Sequence, residues 1–217
     1  MIVSDRKESV SDGSENEVTK FHLDAGGEFF LALAGDAFFI KLLFTRLSSG
    51  YGDTDTIIDQ LESYGRAHFT QHKNVTSTPV YGTGHSEGFL VLRKNKEYTP
   101  YTVKFIKDDF VINHTTAPFY TVGDTIARLM VQHTLRNANF LQHPCEMLAQ
   151  YLLASMADAA QLARFVGDME YGFDVFAFME NGQILCRNRY ADERTRIKVL
   201  FEQSPEVILS ECGAGGI

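Results

Sequence analysis

Residues 29–34 read Phe-Phe-Leu-Ala-Leu-Ala and stop at Gly35, a run with no side left over for water. Its length suits a strand, and glycine at both ends (Gly26-Gly27 before, Gly35 after) marks it off from its neighbours. A strand apolar on both faces must be covered on both faces. The run therefore needs helices on one side of its sheet and a second sheet on the other.

The rest of the chain supplies material for those layers. Ile2-Val3 is β-type and apolar, and residues 8–19 are polar and acidic and read as a loop. Lys20-Phe21-His22-Leu23 alternates as a half-buried strand does. Asp36 is placed to cap a helix over 37–47, and Ile57, Ile58, Leu61, Tyr64 and Phe69 recur at helical spacing in a second. A loop over 70–87 leads to strands at 88–93, 101–106, 110–112 and 119–122, with a turn at Lys94-Asn95-Lys96. Asp124 caps a third helix whose apolar face is Ile126, Leu129, Met130 and His133. Pro144 suits the first helical position of a fourth, striped by Met147, Leu148, Tyr151, Ser155, Ala159, Leu162, Ala163 and Val166. Glu180-Asn181-Gly182 turns a final hairpin, since Asn-Gly favours the tight turn. Strands, two helices, strands, two helices, strands is an α+β order that predicts two sheets face to face with helix layers outside, a four-layer αββα sandwich. One domain over 1–205 is expected, with 206–217 as a tail.

Charge narrows the partners. The 217 residues carry a net charge of -8 with no basic cluster to offset it, which argues against a phosphate-backbone partner. The most apolar region, 29–44, is interrupted by Asp36 and Lys41, so no membrane span is expected. Cys145, Cys186 and Cys212 are odd in number and have no ligand spacing, and read as reduced thiols. His68 and His72 lie one helical turn apart but lack the glutamate of a zinc-binding helix. Each histidine reads as a surface or core side chain. The opening segment has no secretory pattern, which gives the sequons at Asn74 and Asn113 no weight. No metal or cofactor is expected, and the expected location is cytoplasmic.

Three local patterns, in this order, resemble the proteasome β-subunit family and the related bacterial ATP-dependent protease ring. They are Ile2-Val3-Ser4-Asp5-Arg6-Lys7, Lys20-Phe21-His22-Leu23, and Leu33-Ala34-Gly35 followed by Asp36-Ala37-Phe38-Phe39. The resemblance implies an N-terminal-nucleophile hydrolase, in which a terminal threonine attacks the peptide carbonyl and its own α-amine takes the proton. Lys20 matches the lysine whose charge lowers the nucleophile's pKa, and Asp5 the carboxylate that orients it. Gly35 matches the glycine whose N–H stabilises the oxyanion, a contribution of ~3 kcal/mol at comparable sites. Asp168 matches a second carboxylate that steadies the amine. The family's threonine-led first strand would precede Ile2, and Met1 has no hydroxyl, so the chain is expected to lack both strand and nucleophile.

Two function classes stay open. One is a threonine-type peptidase lineage acting on peptides or unfolded proteins, inactive as written. The other is an inactive structural or binding subunit of a ring. Retention of Asp5 and Lys20 favours the first. The second is favoured because Val122-Gly123-Asp124-Thr125 has no supporting serine and none follows soon after Asp168. Gly35 also adjoins Asp36 directly, a departure from the family, which has several residues between. Read without the family, Asp5 and Lys20 are strand-end charges, Gly35 ends a strand and Asp168 is a loop carboxylate. The resemblance also implies association with copies of itself or related ring subunits, and an ATPase partner.

Overall fold

The computed structural model describes residues 2–5, 7–9, 14–24, 26–50, 54–71, 85–95, 97–106, 109–115, 120–137, 152, 155–156, 158–159, 162, 173–178 and 184–189. In chain order the strands are β1 (Ile2–Asp5), β2 (Lys7–Ser9), β3 (Glu15–Glu17), β4 (Phe21–Leu23) and β5 (Phe29–Gly35). Helices α1 (Ala37–Ser48) and α2 (Ile57–Gln71) follow, then β6 (His85–Lys94), β7 (Glu97–Ile106) and β8 (Asp109–His114). Helix α3 (Thr125–Asn137), β9 (Phe173–Phe178) and β10 (Ile184–Arg189) complete the series. The chain is α+β and divides into two compact units. One comprises Met1–Glu8, Glu15–Thr19 and Ala117–Ile217; the other comprises Ser9–Ser14 and Lys20–Thr116.

The unit over Lys20–Thr116 is built on a five-stranded sheet of order β4-β5-β6-β7-β8, antiparallel throughout. Register decides what each face carries. Phe29, Leu31 and Leu33 stand opposite Leu92, Leu90 and Gly88, and this face continues through Val103 and Phe105 of β7. Against it pack Phe39, Ile40, Leu43 and Leu47 of α1 with Ile57 and Leu61 of α2, forming one apolar core. Burial of each such side chain contributes about 1.5–3 kcal/mol. The alternate residues of β5 are just as hidden: Phe30 is 1% exposed and Ala32 6%, with Val91 across the ladder at 4%. The strand predicted to be covered on both faces is covered on both.

Two glycines let these layers close. Gly88 of β6 lies so near β5 that a Cβ there would land on the Ala32 carbonyl. Gly65 of α2 sits against the Phe105 ring, which brings the helix down onto β7.

In the other unit β1 pairs antiparallel with β9, Ile2 opposite Phe176 and Asp5 opposite Phe173, and β10 pairs with the far edge of β9. The predicted hairpin is therefore present, with Ile184 opposite Phe178. Asp124 caps α3 as expected, its Oδ1 accepting the N–H groups of Ile126 (2.8 Å) and Ala127 (3.0 Å). The buried face of α3 differs in part from the expected one, of which Met130 does pack against the apolar cluster. Ala127, Val131 and Leu135 face Ala159, Leu152 and Met156, while Ile126 and Leu129 are 52% and 62% exposed. Of the fourth helix's expected stripe, Ser155 and Ala159 are buried and Leu162 is exposed.

Two local expectations were also revised. Within 8–19, a β2–β3 ribbon of polar three-residue strands forms, which no apolar alternation announces. Of the strand expected over 119–122, residues 120–122 are an irregular lead-in to α3, tied to the helix by Gln132 Nε2 donating to Thr121 Oγ1 at 2.8 Å, and residue 119 lies outside the described residues. No helix among the described residues is long and apolar enough to cross a membrane.

Candidate functional site at the β5–α1 corner

The end of β5 and the start of α1 meet in one sharp corner. Gly35 closes the strand at φ 128°, a conformation that a side chain would strain. Asp36 follows in extended conformation, and its Oδ1 accepts the Phe39 N–H at 2.9 Å, satisfying a donor that the first helical turn leaves open. Its own N–H donates to Ser86 Oγ at 3.0 Å. Ser86 is fully buried and stands opposite Gly35 in the β5–β6 register, so the cap is fixed to the neighbouring strand as well as to its helix.

The second carboxylate oxygen of Asp36 lies 3.6 Å from Nε2 of His68, an imidazole 5% exposed on α2. That separation is too long for a hydrogen bond and serves as a charge contact when the ring is protonated. Phe39 and Phe38 lie 4.9 and 5.9 Å from the imidazole, ring centre to ring centre. The corner thus gathers an acid, a base and a hydroxyl from α1, α2 and β6. With Ser86 sealed from solvent and engaged by a backbone N–H, the trio anchors a helix and does not present a nucleophile.

Of the residues singled out by sequence, Lys20 immediately precedes β4 and Gly35 ends the neighbouring strand β5. The Lys20 carbonyl accepts the Leu33 N–H at 3.0 Å, which extends the β4–β5 pairing by one residue and leaves Gly35 two positions further along β5. Lys20 is half-buried. Asp5 ends β1 in the other compact unit, opposite Phe173. Asp168 lies outside the described residues. Sequence reasoning missed Ser86 and His68 as partners of Asp36. His68 could have been found, because Ile57, Leu61, Gly65 and His68 make a regular buried stripe along α2. Among the described residues, no group of three His, Cys, Asp or Glu side chains could hold a metal ion.

Replacing Asp36 separates its two roles. Asp36→Ala is expected to lower stability by about 1–2 kcal/mol in urea denaturation through loss of the cap. Asp36→Asn, which still accepts from Phe39, is expected to lose only a few tenths of that range. Equal losses would mean that the contact with His68, not the cap, matters. Compared with known proteins, the sequence matches no family model and no curated protein at a significant level.

Proposed function

We propose that this chain is a proteasome β-type member of the N-terminal-nucleophile hydrolases, a four-layer αββα sandwich from a lineage that hydrolyses peptide bonds. The observation that carries the reading is the sheet of β4–β8. Helices cover one face, side chains of β5 and β6 are buried on the other, and Lys20, just ahead of β4, pairs through its carbonyl with Leu33, two positions before Gly35. In this reading Lys20 supplies positive charge beside a threonine hydroxyl, Asp5 orients the ammonium, Gly35 donates to the oxyanion, and Asp168 steadies the terminal amine. The substrate is a peptide or an unfolded protein, and copies of the chain or related subunits form a ring served by an ATPase in the cytoplasm.

A second reading, an inactive ring subunit, is favoured by the corner itself. The Asp36 N–H and carboxylate are committed to Ser86 and to the α1 cap immediately after Gly35, which leaves the family's spacer no room.

A polypeptide beginning at Met1 offers no hydroxyl beside a free α-amine, so the purified 217-residue chain is expected not to cleave a fluorogenic peptide. Fusing a threonine-initiated strand of about a dozen residues ahead of Ile2 should produce hydrolysis that Lys20→Ala abolishes. A folded fusion without hydrolysis would decide for the inactive subunit. Hydrolysis indifferent to Lys20 would refute the site.

A further inference from the structure

β4 is short and exposed to release. It spans only Phe21–Leu23 and, among the described residues, has a sheet neighbour on one side. Beyond the strand itself, pairing is extended by the Leu33 N–H on the Lys20 carbonyl and the Asp24 N–H on the Phe29 carbonyl, both at 3.0 Å. Its one helix-facing side chain is His22, opposite Leu31 in the register. The imidazole stacks on Phe29 (ring centres 5.4 Å apart, planes 29° apart) and lies 6.0 Å from the ring of Phe44 on α1.

We propose that β4 is a pH-released edge strand: protonation of His22 in mild acid drives its ring out from between Phe29 and Phe44 and loosens the β4–β5 pairing that carries Lys20.

The groups that face His22 set the direction. β5 presents Phe29 and Leu31, and α1 presents Phe44, all apolar. On its own chain segment the charged neighbours are Lys20, two residues back, and Asp24, two residues on. The Asp24 carboxylate is already occupied. Its Oδ2 accepts the N–H groups of Gly26 (2.9 Å) and Glu28 (3.1 Å), which form the turn into β5. Burial therefore pushes the His22 pKa below its ordinary 6.5, and the attraction of Asp24 offsets only part of that.

The packed strand consequently binds the proton less readily than the released strand does. The pairing has its full stability above pH 6.5 and loses it as pH falls from there through the lowered folded-state pKa. On the other face Phe21 stays stacked on Phe30, with ring centres 5.8 Å apart, so the strand loosens without leaving the sheet. The release belongs to β4 and stands whether or not Lys20 serves a nucleophile.

Amide hydrogen exchange by NMR on the full chain, corrected for the intrinsic pH dependence of exchange, tests this between neutral pH and about pH 5. The N–H groups of Asp24 and Leu33 should lose protection severalfold, while those pairing β6 with β7 keep theirs. The His22 imidazole, followed by its own NMR titration, should titrate below 6.5. His22→Phe keeps a ring in the slot, removes the proton site and should abolish the pH dependence. Loss of protection in both ladders together, unchanged β4–β5 protection, persistence of the effect in His22→Phe, or titration at or above 6.5 would each overturn the proposal. None of these outcomes depends on peptide hydrolysis, so failure of the proposed function leaves the test intact.

Discussion

Gly88→Ala is expected to destabilise the β4–β8 sheet by about 3 kcal/mol or more, at or beyond the top of the usual overpacking range. The added methyl would fall on the Ala32 carbonyl oxygen, with the Ala32 carbonyl carbon at 2.8 Å and Leu33 Cα at 2.9 Å. These are backbone atoms of the interior strand β5, hydrogen-bonded to β4 on one side and β6 on the other. A flexible side chain could swing aside, but a strand buried on both faces cannot. The chain has no tryptophan, so loss of far-UV circular dichroism in urea is the appropriate readout. A variant as stable as the parent would show that β5 and β6 are not paired with Leu33 opposite Gly88.

Phe105→Ala comes next, with an expected loss of about 3–5 kcal/mol for removing a fully buried aromatic ring. Phe105 is 0% exposed, with Phe39 at 4.9 Å and Phe110 at 5.1 Å between ring centres, and Gly65 of α2 closes over it. That arrangement makes a sharper statement about Gly65. In a helix interior, alanine normally improves on glycine by about 1 kcal/mol. Here a Cβ would press on Phe105 Cδ1 and stand 3.0 Å from Cε1, against a ring boxed in by two others, so Gly65→Ala should destabilise. In the Phe105→Ala background the obstacle is gone, and the same change should stabilise. A double-mutant cycle in which Gly65→Ala keeps one sign in both backgrounds would refute this packing of α2 on β7.

Much of this core is written in local pattern. Residues 29–34 announce a strand hidden on both faces, Asp36 and Asp124 announce helix starts, and Asn181-Gly182 sits between two strands that do pair. The failures share a cause. The α2 stripe expected from sequence runs through Ile57, Ile58, Leu61, Tyr64 and Phe69, which leaves out the buried His68. The α3 face was expected at Ile126, Leu129, Met130 and His133, and of these Met130 packs with the buried cluster while the larger share of the face passes to Ala127, Val131 and Leu135. In both cases the face was chosen by what packs against it, which the helix's own residues do not state. Of the candidate site, Lys20 and Gly35 were legible as strand-end residues, and their adjacency followed from the β4–β5 pairing. The union of Asp36 with Ser86, 50 positions away, was not.

Sequence alone determined which segments must hide and where α1 and α3 begin, because side-chain period and capping chemistry act over a few residues. Tertiary structure decided the partners: which strand lies beside β5, which serine holds Asp36, and which rings enclose His22. A hydrophobic period records that a residue leaves water. It does not record the surface it meets, since that surface comes from distant chain whose approach is set by register and by the glycines that let backbones touch.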